Sequence, residues 1–296
     1  MSGISWDKEK DMPPLSEESL IQYATYCHQS LQIKCSTIKL YICGIRHKFL
    51  QAGTSNLFSN CCSSKLHRLE LIYKGIKKSE NPSTRERLPI TYSILSDIYY
   101  LLKRNFFSPY VSQLIETASI VAYIGFLRCG EFTVTNEFDQ SSNLCYEDLS
   151  LTEEYANLHL KSSKTDPFRH GVDIPLFKNS SPLCPVYSLR NYINSRRDKF
   201  NSIIGSEPLF IMEDGKALTR SFFISHIKTL LQSLGYDPNK YNGHSFRIGA
   251  ATSVATKIND HLIQTLGRWN SSCYTRYIHT SQSTIKKAQF ALITND

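Results

Sequence analysis

The chain has 296 residues, of which 41% are hydrophobic, enough to build one large or two ordinary domains with packed cores. Its formal net charge is +8, from 34 Lys and Arg against 26 Asp and Glu, and its pI is near 8.9. No apolar run approaches the ~18–20 residues of a membrane span, and the polar, acidic start MSGISWDKEKDMPPLSEES predicts no secretory signal. These features argue against a disordered or membrane-spanning chain and suit an anionic partner, although a basic charge is also common in proteins without one.

The cysteines indicate reduced thiols. There are nine, an odd number, and no two of them have Cys-x-x-Cys spacing. Cys61, Cys62 and His67 lie close together, but their spacing is not that of a zinc finger or ribbon. We therefore expect no metal and no other cofactor.

Residues 14–80 are predicted to form a small helical domain after a loose tail at 1–13. A capping-box pattern at Ser16-Glu17-Glu18 opens the first helix, and two further amphipathic segments follow at about Ser36–Ala52 and Ser64–Lys78.

This helical region carries much of the positive charge. From Lys34 to Arg87 there are eleven Lys or Arg and three acids. We expect Lys39, Arg46 and Lys48 of the second helix to contact DNA, although a solvated amphipathic bundle would show the same pattern.

Residues 81–91, within SENPSTRERLPIT, hold two prolines and no apolar periodicity, which is typical of an interdomain linker. Residues 92–296 are predicted to be mainly helical with a small antiparallel sheet, an α+β domain. Short alternating runs in LCYEDLSL, ANLHLKSS and GVDIPLF predict strands, and the last two flank the polar turn KTDPFRHG of a hairpin. Helices are expected at about Tyr92–Lys103, Val111–Ile124, Pro185–Phe200 and Ser221–Leu234.

Two segments carry residues suited to phosphate chemistry. In GFLRCGEF, Glu131 follows Arg128 by three residues and could hold the guanidinium that binds a phosphate. In YNGHSFRIGAAT, His244 and Arg247 have the His-x-x-Arg spacing that places two phosphate-seeking groups on one helical face. LGRWNSSCYTRYIHT then supplies a tyrosine whose phenol is a possible nucleophile.

This order of residues resembles the catalytic end of the tyrosine recombinases, the phage-integrase family. The wording GHSFRIGAAT…LGRW…YI is most similar to the eukaryotic enzymes of DIRS-like and Crypton mobile elements. The resemblance is specific over the last fifty or so residues, moderate from Gly125 to Lys178, and only architectural before Ser79.

The resemblance implies a SAM-like core-binding domain and a catalytic domain that close as a C-shaped clamp around duplex DNA. It further implies strand cleavage through a 3′-phosphotyrosine, without metal or ATP. Arg128, Arg247 and His244 would stabilise the charged transition state, Lys164 on the hairpin would protonate the leaving oxygen, and Tyr277 would attack phosphorus.

Several assignments stay open. By spacing, Arg268 occupies the usual His or Trp position, but the Gly-Arg-Trp form favours Trp269 for the role. Tyr274 competes with Tyr277 as nucleophile, and Lys161 and Arg169 are nearby alternatives to Lys164.

The expected partner is double-stranded DNA, with a tetrameric synapse formed on it and no membrane association. The tail STIKKAQFALIT would dock on a neighbouring protomer, or fold back on its own domain. The eukaryotic wording implies a nuclear location. A domesticated protein that binds DNA without cutting it, and a type IB topoisomerase-like enzyme, remain alternatives.

Overall fold

A computed structural model describes residues 16–52, 66–80, 87–163, 168, 170–201, 204–255, 257–269 and 275. The chain divides into two compact units, Met1–Thr84 and Arg85–Asp296. None of the helices described combines the length and the apolar character needed to cross a membrane.

The described part of the first unit consists of three helices around one small core. They are α1 (Glu17–Gln29), α2 (Cys35–Gln51) and α3 (His67–Ser79). Leu20, Ala24, Ile38, Leu69 and Tyr73 are among the buried residues where the three apolar faces meet. These bounds lie within three residues of the predicted ones at every described end.

The start of α1 differs from a capping box. Ser16 caps the helix by accepting the backbone N–H of Ser19, as predicted for that position. Glu17, however, accepts the backbone N–H of Leu69 at 3.1 Å, and Glu18 pairs with Arg68 at 2.8 Å. Both acids therefore join α1 to the start of α3 rather than closing the reciprocal bond to Ser16.

The second unit is mainly helical with one small sheet, which confirms the predicted α+β class. Its helices are α4 (Tyr92–Leu102), α5 (Pro109–Ile124), α6 (Cys129–Phe132), α7 (Pro185–Phe200), α8 (Arg220–Ser233), α9 (Ser245–Val254) and α10 (Asp260–Gly267). Helix α5 packs against α4, α7, α8 and α9, and most of its residues are buried. A helix that is buried on most of its sides in this way forms the centre of a core.

The sheet contains β1 (Leu149–Leu151), β2 (Tyr155–Leu160) and β3 (Val172–Phe177), in the order β1-β2-β3 with antiparallel pairing. The register Leu158 opposite Ile174 confirms the predicted hairpin between the last two strands. In the first predicted strand, Tyr146–Asp148 instead form a 3-10 turn, so only its last three residues pair.

The end of the predicted linker belongs to the second unit. Leu88 donates its N–H to the carbonyl of Lys240 at 2.9 Å, and Ile90 donates to that of Ser245 at 2.9 Å. The Ile90 side chain is fully buried. Residues 87–90 are therefore fixed against the start of α9, which holds Arg87 at a set place on this unit.

A cationic cleft as the candidate active site

Arg128 is positioned by a turn that follows α5. Helix α5 ends at Ile124, as predicted, and Phe126, with φ +50°, lies in the turn that follows. Arg128 then becomes the N-cap of the short helix α6 with extended backbone. Glu131 accepts both the backbone N–H of Arg128 at 2.8 Å and its guanidinium at 2.9 Å. One carboxylate thus fixes the arginine at both ends of its side chain.

His244 stands at the N-cap of α9. The carbonyl oxygen of the Asn242 side chain accepts the His244 backbone N–H at 2.9 Å, and the Asn242 N–H donates to Ser245 Oγ at 3.0 Å. Gly243 permits the close approach of this turn to α6, since a Cβ there would lie 2.8 Å from Cys129 Sγ. These contacts place His244 beside the α6 segment that carries Arg128.

Arg247 lies one turn into α9 and is only 2% exposed. It donates to the carbonyl of Phe126 at 2.9 Å and to that of Gly267. Its guanidinium carbon lies 4.5 Å from the centre of the Trp269 ring, a cation–π contact. Arg247 therefore connects the turn after α5 with the end of α10.

Arg268 and Trp269 have different surroundings. Arg268 ends α10 in the left-handed region, with φ +53°, and donates to Glu131 at 2.8 Å and to the Phe126 carbonyl at 3.2 Å. Trp269 is buried edge-to-face against Phe126, with ring centres 6.2 Å apart. Arg268 thus binds the carboxylate that holds Arg128, whereas Trp269 covers Arg247.

A cleft of about 450 Å³ opens between these elements. Its lining includes Arg128 and His244 from the predicted set, and also Arg87 and Arg220, which belong to no predicted motif. The remaining lining residues are Cys129, Gly130, Glu131, Ser162, Ser163 and Gly243. Three arginines and one carboxylate make the cleft strongly positive.

The electrostatics keep His244 neutral. Burial lowers its pKa, and the guanidinium groups of Arg247, Arg87, Arg128 and Arg220 lower it further. Because the ordinary histidine pKa is about 6.5, the imidazole is uncharged at pH 7 and can accept a proton. Burial also raises the pKa of the Cys129 thiol, which disfavours a thiolate nucleophile here.

Of the two lysines at the hairpin, the structure describes Lys161 but not Lys164. Lys161 makes an ion pair with Asp148 at 3.0 Å and donates to the carbonyl of Gln140 at 3.0 Å. Burial lowers the Lys161 pKa, but Asp148 and Cys145 together raise it by more, so the net shift is upward. A raised pKa suits a structural role better than proton donation. Ser163 lines the cleft. Lys164, the residue after it, lies outside the described residues, as do Arg169, Tyr274 and Tyr277.

The DNA contacts expected of the first unit concern α2. Lys39 lies 3.8 Å from Glu70 and over the ring of Tyr73, with about half of its side chain exposed. Arg46 and Lys48 lie further along the same helix, and Lys48 falls in its last turn. Their contact with DNA stays a prediction.

Sequence reasoning missed Arg87 and Arg220 because neither lies in a motif. Arg87 stood in the presumed linker, and Arg220 is the first residue of α8 after its Thr219 cap. The one available signal was the occurrence of arginine directly before or after a predicted helix boundary. Such positions are too common to be selected without the fold.

No family model matches the chain. It is 24% identical over 249 residues to an integrase/recombinase xerD homolog of Selenomonas ruminantium, a match that includes 82% of this chain and 66% of the relative. The chain thus spans slightly less than two thirds of the length of that relative.

Solved structures are similar over almost the whole chain. The XerH site-specific recombinase bound to palindromic difH substrate superposes with a TM-score of 0.64, covering 95% of this chain and 71% of that one at 14% identity. The Tn1549 transposon integrase in complex with transposon right end DNA gives 0.59, with 95% and 86% coverage at 14% identity. A lambda integrase dimer bound to a COC′ core site gives 0.53, with 91% and 82% coverage at 14% identity.

These similarities establish the fold as that of the tyrosine recombinases. Within that fold, Arg128 at the start of α6 and His244 at the start of α9 line one cleft. The buried Arg247 binds the Phe126 carbonyl, and Arg268 at the end of α10 binds Glu131.

Proposed function

We propose that this protein is a site-specific tyrosine recombinase, which cuts and rejoins DNA strands through a 3′-phosphotyrosine on Tyr277. The observation that carries the proposal is the convergence of Arg128 and His244 on one cationic cleft, with the buried Arg247 near enough to His244 to lower its pKa. A protein that only bound DNA would need positive charge but not a fixed, neutral histidine among arginines.

The chemistry follows from these groups. Attack by a phenol oxygen on phosphorus forms a pentacoordinate transition state with added negative charge, while the bond to the 5′ oxygen breaks. The Arg128 guanidinium, held by Glu131, offers paired donors to the phosphate oxygens, and the buried Arg247 adds its positive charge. Neutral His244 is suited to accept the proton of the phenol or to donate to the phosphate.

Lys164 completes the proposed mechanism as the general acid for the leaving 5′ oxygen. Because the phosphotyrosine ester retains the energy of the broken bond, rejoining requires neither ATP nor Mg²⁺. Trp269 is proposed to fill the position after the second arginine, because its ring lies against Arg247. Arg268, by contrast, is directed to Glu131.

The wording of the last fifty residues supports an origin in a eukaryotic mobile element, with nuclear DNA as the substrate. The similar structures include a transposon integrase bound to transposon end DNA, and an element-borne enzyme of this fold would act on the ends of its own element. A tetrameric synapse on DNA is proposed as the active assembly, and the C-terminal tail as the segment that joins protomers.

The direct test traps the covalent intermediate on nicked suicide DNA duplexes drawn from a pooled sequence library, without Mg²⁺ or ATP. We expect a protein–DNA adduct on a denaturing gel with wild type and with Tyr274→Phe, and none with Tyr277→Phe. Loss only in Tyr274→Phe would assign the nucleophile to Tyr274.

Two other outcomes would point elsewhere. Salt-sensitive binding without an adduct on any library member would contradict cleavage and favour a DNA-binding protein of this fold. Relaxation of supercoiled plasmid without strand exchange between duplexes would favour a topoisomerase-like enzyme.

A further inference from the structure

Arg87 and Arg220 line the cleft, but the mechanism above gives them no contact with the reacting phosphate. They come from distant parts of the second unit's sequence, Arg87 from the segment before α4 and Arg220 from the start of α8. Both are exposed, whereas Arg247 is buried and the Arg268 side chain is only 13% exposed.

The other arginines of the site are held by protein acceptors. Arg128 and Arg268 share Glu131, and Arg247 binds the carbonyls of Phe126 and Gly267. Within the part of the chain that the structure describes, no carboxylate lies within 4.0 Å of the Arg87 or Arg220 guanidinium, so their charge is available to a ligand.

Their backbones are nevertheless fixed. The residue after Arg87 is hydrogen bonded to Lys240, and the Arg220 N–H donates to the carbonyl of Val134 at 2.8 Å. Two exposed cations on fixed backbone, facing one cleft, are arranged in advance for an anion.

The cleft has room and charge for more than one phosphate. Its volume of about 450 Å³ is many times the roughly 10–15 Å³ that holds one water on the same measure, and exceeds what one phosphate group requires. Glu131 offsets one of the three lining arginines, which leaves two positive charges, and one phosphodiester neutralises only one of them. Phosphates along a DNA strand follow one another at about 3.4 Å of helix rise, so a second one is within reach of the same cleft.

We propose that Arg87 and Arg220 bind a second backbone phosphate of the DNA, distinct from the reacting phosphate held by Arg128 and His244. This inference rests on the proposed function. It makes the two arginines positioning residues that hold the strand so that the reacting phosphate meets the nucleophile. The two arginines would stabilise bound DNA equally in the ground state and in the transition state.

The first measurement is the salt dependence of binding by the full chain to a short duplex of mixed sequence. Removal of one phosphate contact lowers the magnitude of the slope of log K against log salt by about 0.9. We expect Arg87→Gln and Arg220→Gln each to lower it by about that amount, because either arginine forms such a contact.

The matched control is Arg104→Gln, which removes one exposed arginine after α4 that does not line the cleft. Thermal melting of each variant is the check that it folds. Arg87→Lys and Arg220→Lys retain the positive charge, so we expect them to show nearly the wild-type slope. Slopes for the Gln variants equal to that of Arg104→Gln would overturn the proposal.

The second measurement compares adduct formation on the suicide duplex as DNA concentration rises. We expect Arg87→Gln and Arg220→Gln to raise the half-saturating DNA concentration mainly, whereas Arg128→Gln lowers the rate at saturation. A loss at saturation as large as that of Arg128→Gln would place Arg87 and Arg220 on the reacting phosphate and overturn their assignment to a second one.

The two proposals fail differently. If no protein, wild type included, forms an adduct, the recombinase proposal fails, while the salt slopes still decide whether Arg87 and Arg220 bind phosphate. If wild type forms the adduct but neither variant changes the slope, the recombinase proposal stands and the second phosphate site is wrong.

Discussion

The carboxylate of Glu131 is the most constrained acid of the site. Its side chain is 5% exposed and accepts from the Arg128 guanidinium, the Arg128 backbone and the Arg268 guanidinium, each within 3 Å. Removing one partner of a buried ion pair leaves an uncompensated charge and costs about 3–5 kcal/mol. We therefore predict that Glu131→Gln destabilises the second unit by about this amount, measured by urea unfolding.

The control for this prediction is Glu154→Gln. Glu154 pairs with Lys178 at 3.0 Å, but its side chain is 77% exposed, so the solvent screens the pair. We expect no measurable change in the unfolding midpoint. Equal effects of the two substitutions would show that Glu131 contributes no more than a surface acid does.

The imidazole of His244 reports on the field of the cleft. Burial and then four arginines lower its pKa, and the acid of the cleft, Glu131, is engaged with Arg128 and Arg268. We predict that Arg220→Gln raises the His244 pKa, because it removes one positive charge that opposes protonation, while Arg104→Gln leaves it unchanged. Histidine resonances followed by NMR titration give both values.

The sign of the effect on stability follows from the same shift. The His244 pKa in the folded state lies below the unfolded value of about 6.5. As the pH falls through that value, the folded state therefore binds fewer protons than the unfolded state does. Acid therefore weakens the fold through His244, and this loss should be smaller in Arg220→Gln. A His244 pKa above 6.5 in wild type would contradict the neutral imidazole on which the mechanism depends.

At the scale of the elements, α9 is set by its contact with the segment before α4. A Cβ on Gly249 would overlap the backbone carbonyl of Ile90, and that segment is held by the bond from Ile90 to Ser245. Overpacking costs about 1–3 kcal/mol, and more where the backbone cannot move. We predict that Gly249→Ala lowers the melting temperature and separates α9, with His244 and Arg247, from the turn after α5.

Gly75→Ala provides a control of opposite sign. Gly75 lies inside α3, and an added Cβ meets nothing within 4 Å. Since alanine is favoured over glycine in a helix by about 1 kcal/mol, this change should stabilise the first unit. The melting temperatures of both variants are measured by circular dichroism. A melting temperature of Gly249→Ala equal to that of wild type would contradict the packing of α9 against Ile90.

The end of α10 offers a spectroscopic test of Trp269. A Cβ on Gly267 would overlap the indole ring, which lies over Arg247 and against Phe126. We predict that Gly267→Ala displaces the ring toward water and shifts its fluorescence to longer wavelength. The chain has two tryptophans, so the measurement is made with Trp6→Phe in both proteins. An unchanged spectrum would contradict the buried position of Trp269.

The elements and the site differ in how far the sequence predicts them. The apolar periodicity of α5, α7 and α8, and the alternation in β2 and β3, predict those elements because each pattern is local. The end of α5 at Ile124 was predicted as well, but the left-handed conformation of Phe126 in the turn that follows was not, since non-glycine residues rarely adopt it. The free-energy cost of the left-handed conformation is offset by the hydrogen bonds that Arg247 and Arg268 donate to the Phe126 carbonyl.

The cleft shows the same division. Arg128 and His244 were selected because the order of motifs resembles a family. Arg87 and Arg220 could not be selected from the sequence, since only the fold brings the segment before α4 and the start of α8 to one place. Glu131 was expected to bind Arg128, but its second partner Arg268 depends on the left-handed end of α10.

At the scale of the whole molecule, each unit has a core of its own. The buried residues of the first form one cluster among α1, α2 and α3, and those of the second form another around α5. Every residue that lines the cleft belongs to the second unit, Arg85–Asp296.

We accordingly predict that a fragment of residues 85–296 folds cooperatively and keeps the lowered His244 pKa of the full chain. It should bind DNA more weakly, because the fragment lacks Lys39, Arg46 and Lys48, and its salt slope should be smaller by about 0.9 for each phosphate that these residues bind. At saturating DNA it should still form the Tyr277 adduct. A fragment that folds with an unchanged slope would show that α2 binds no phosphate. A fragment without a cooperative transition would show that the core around α5 is insufficient alone.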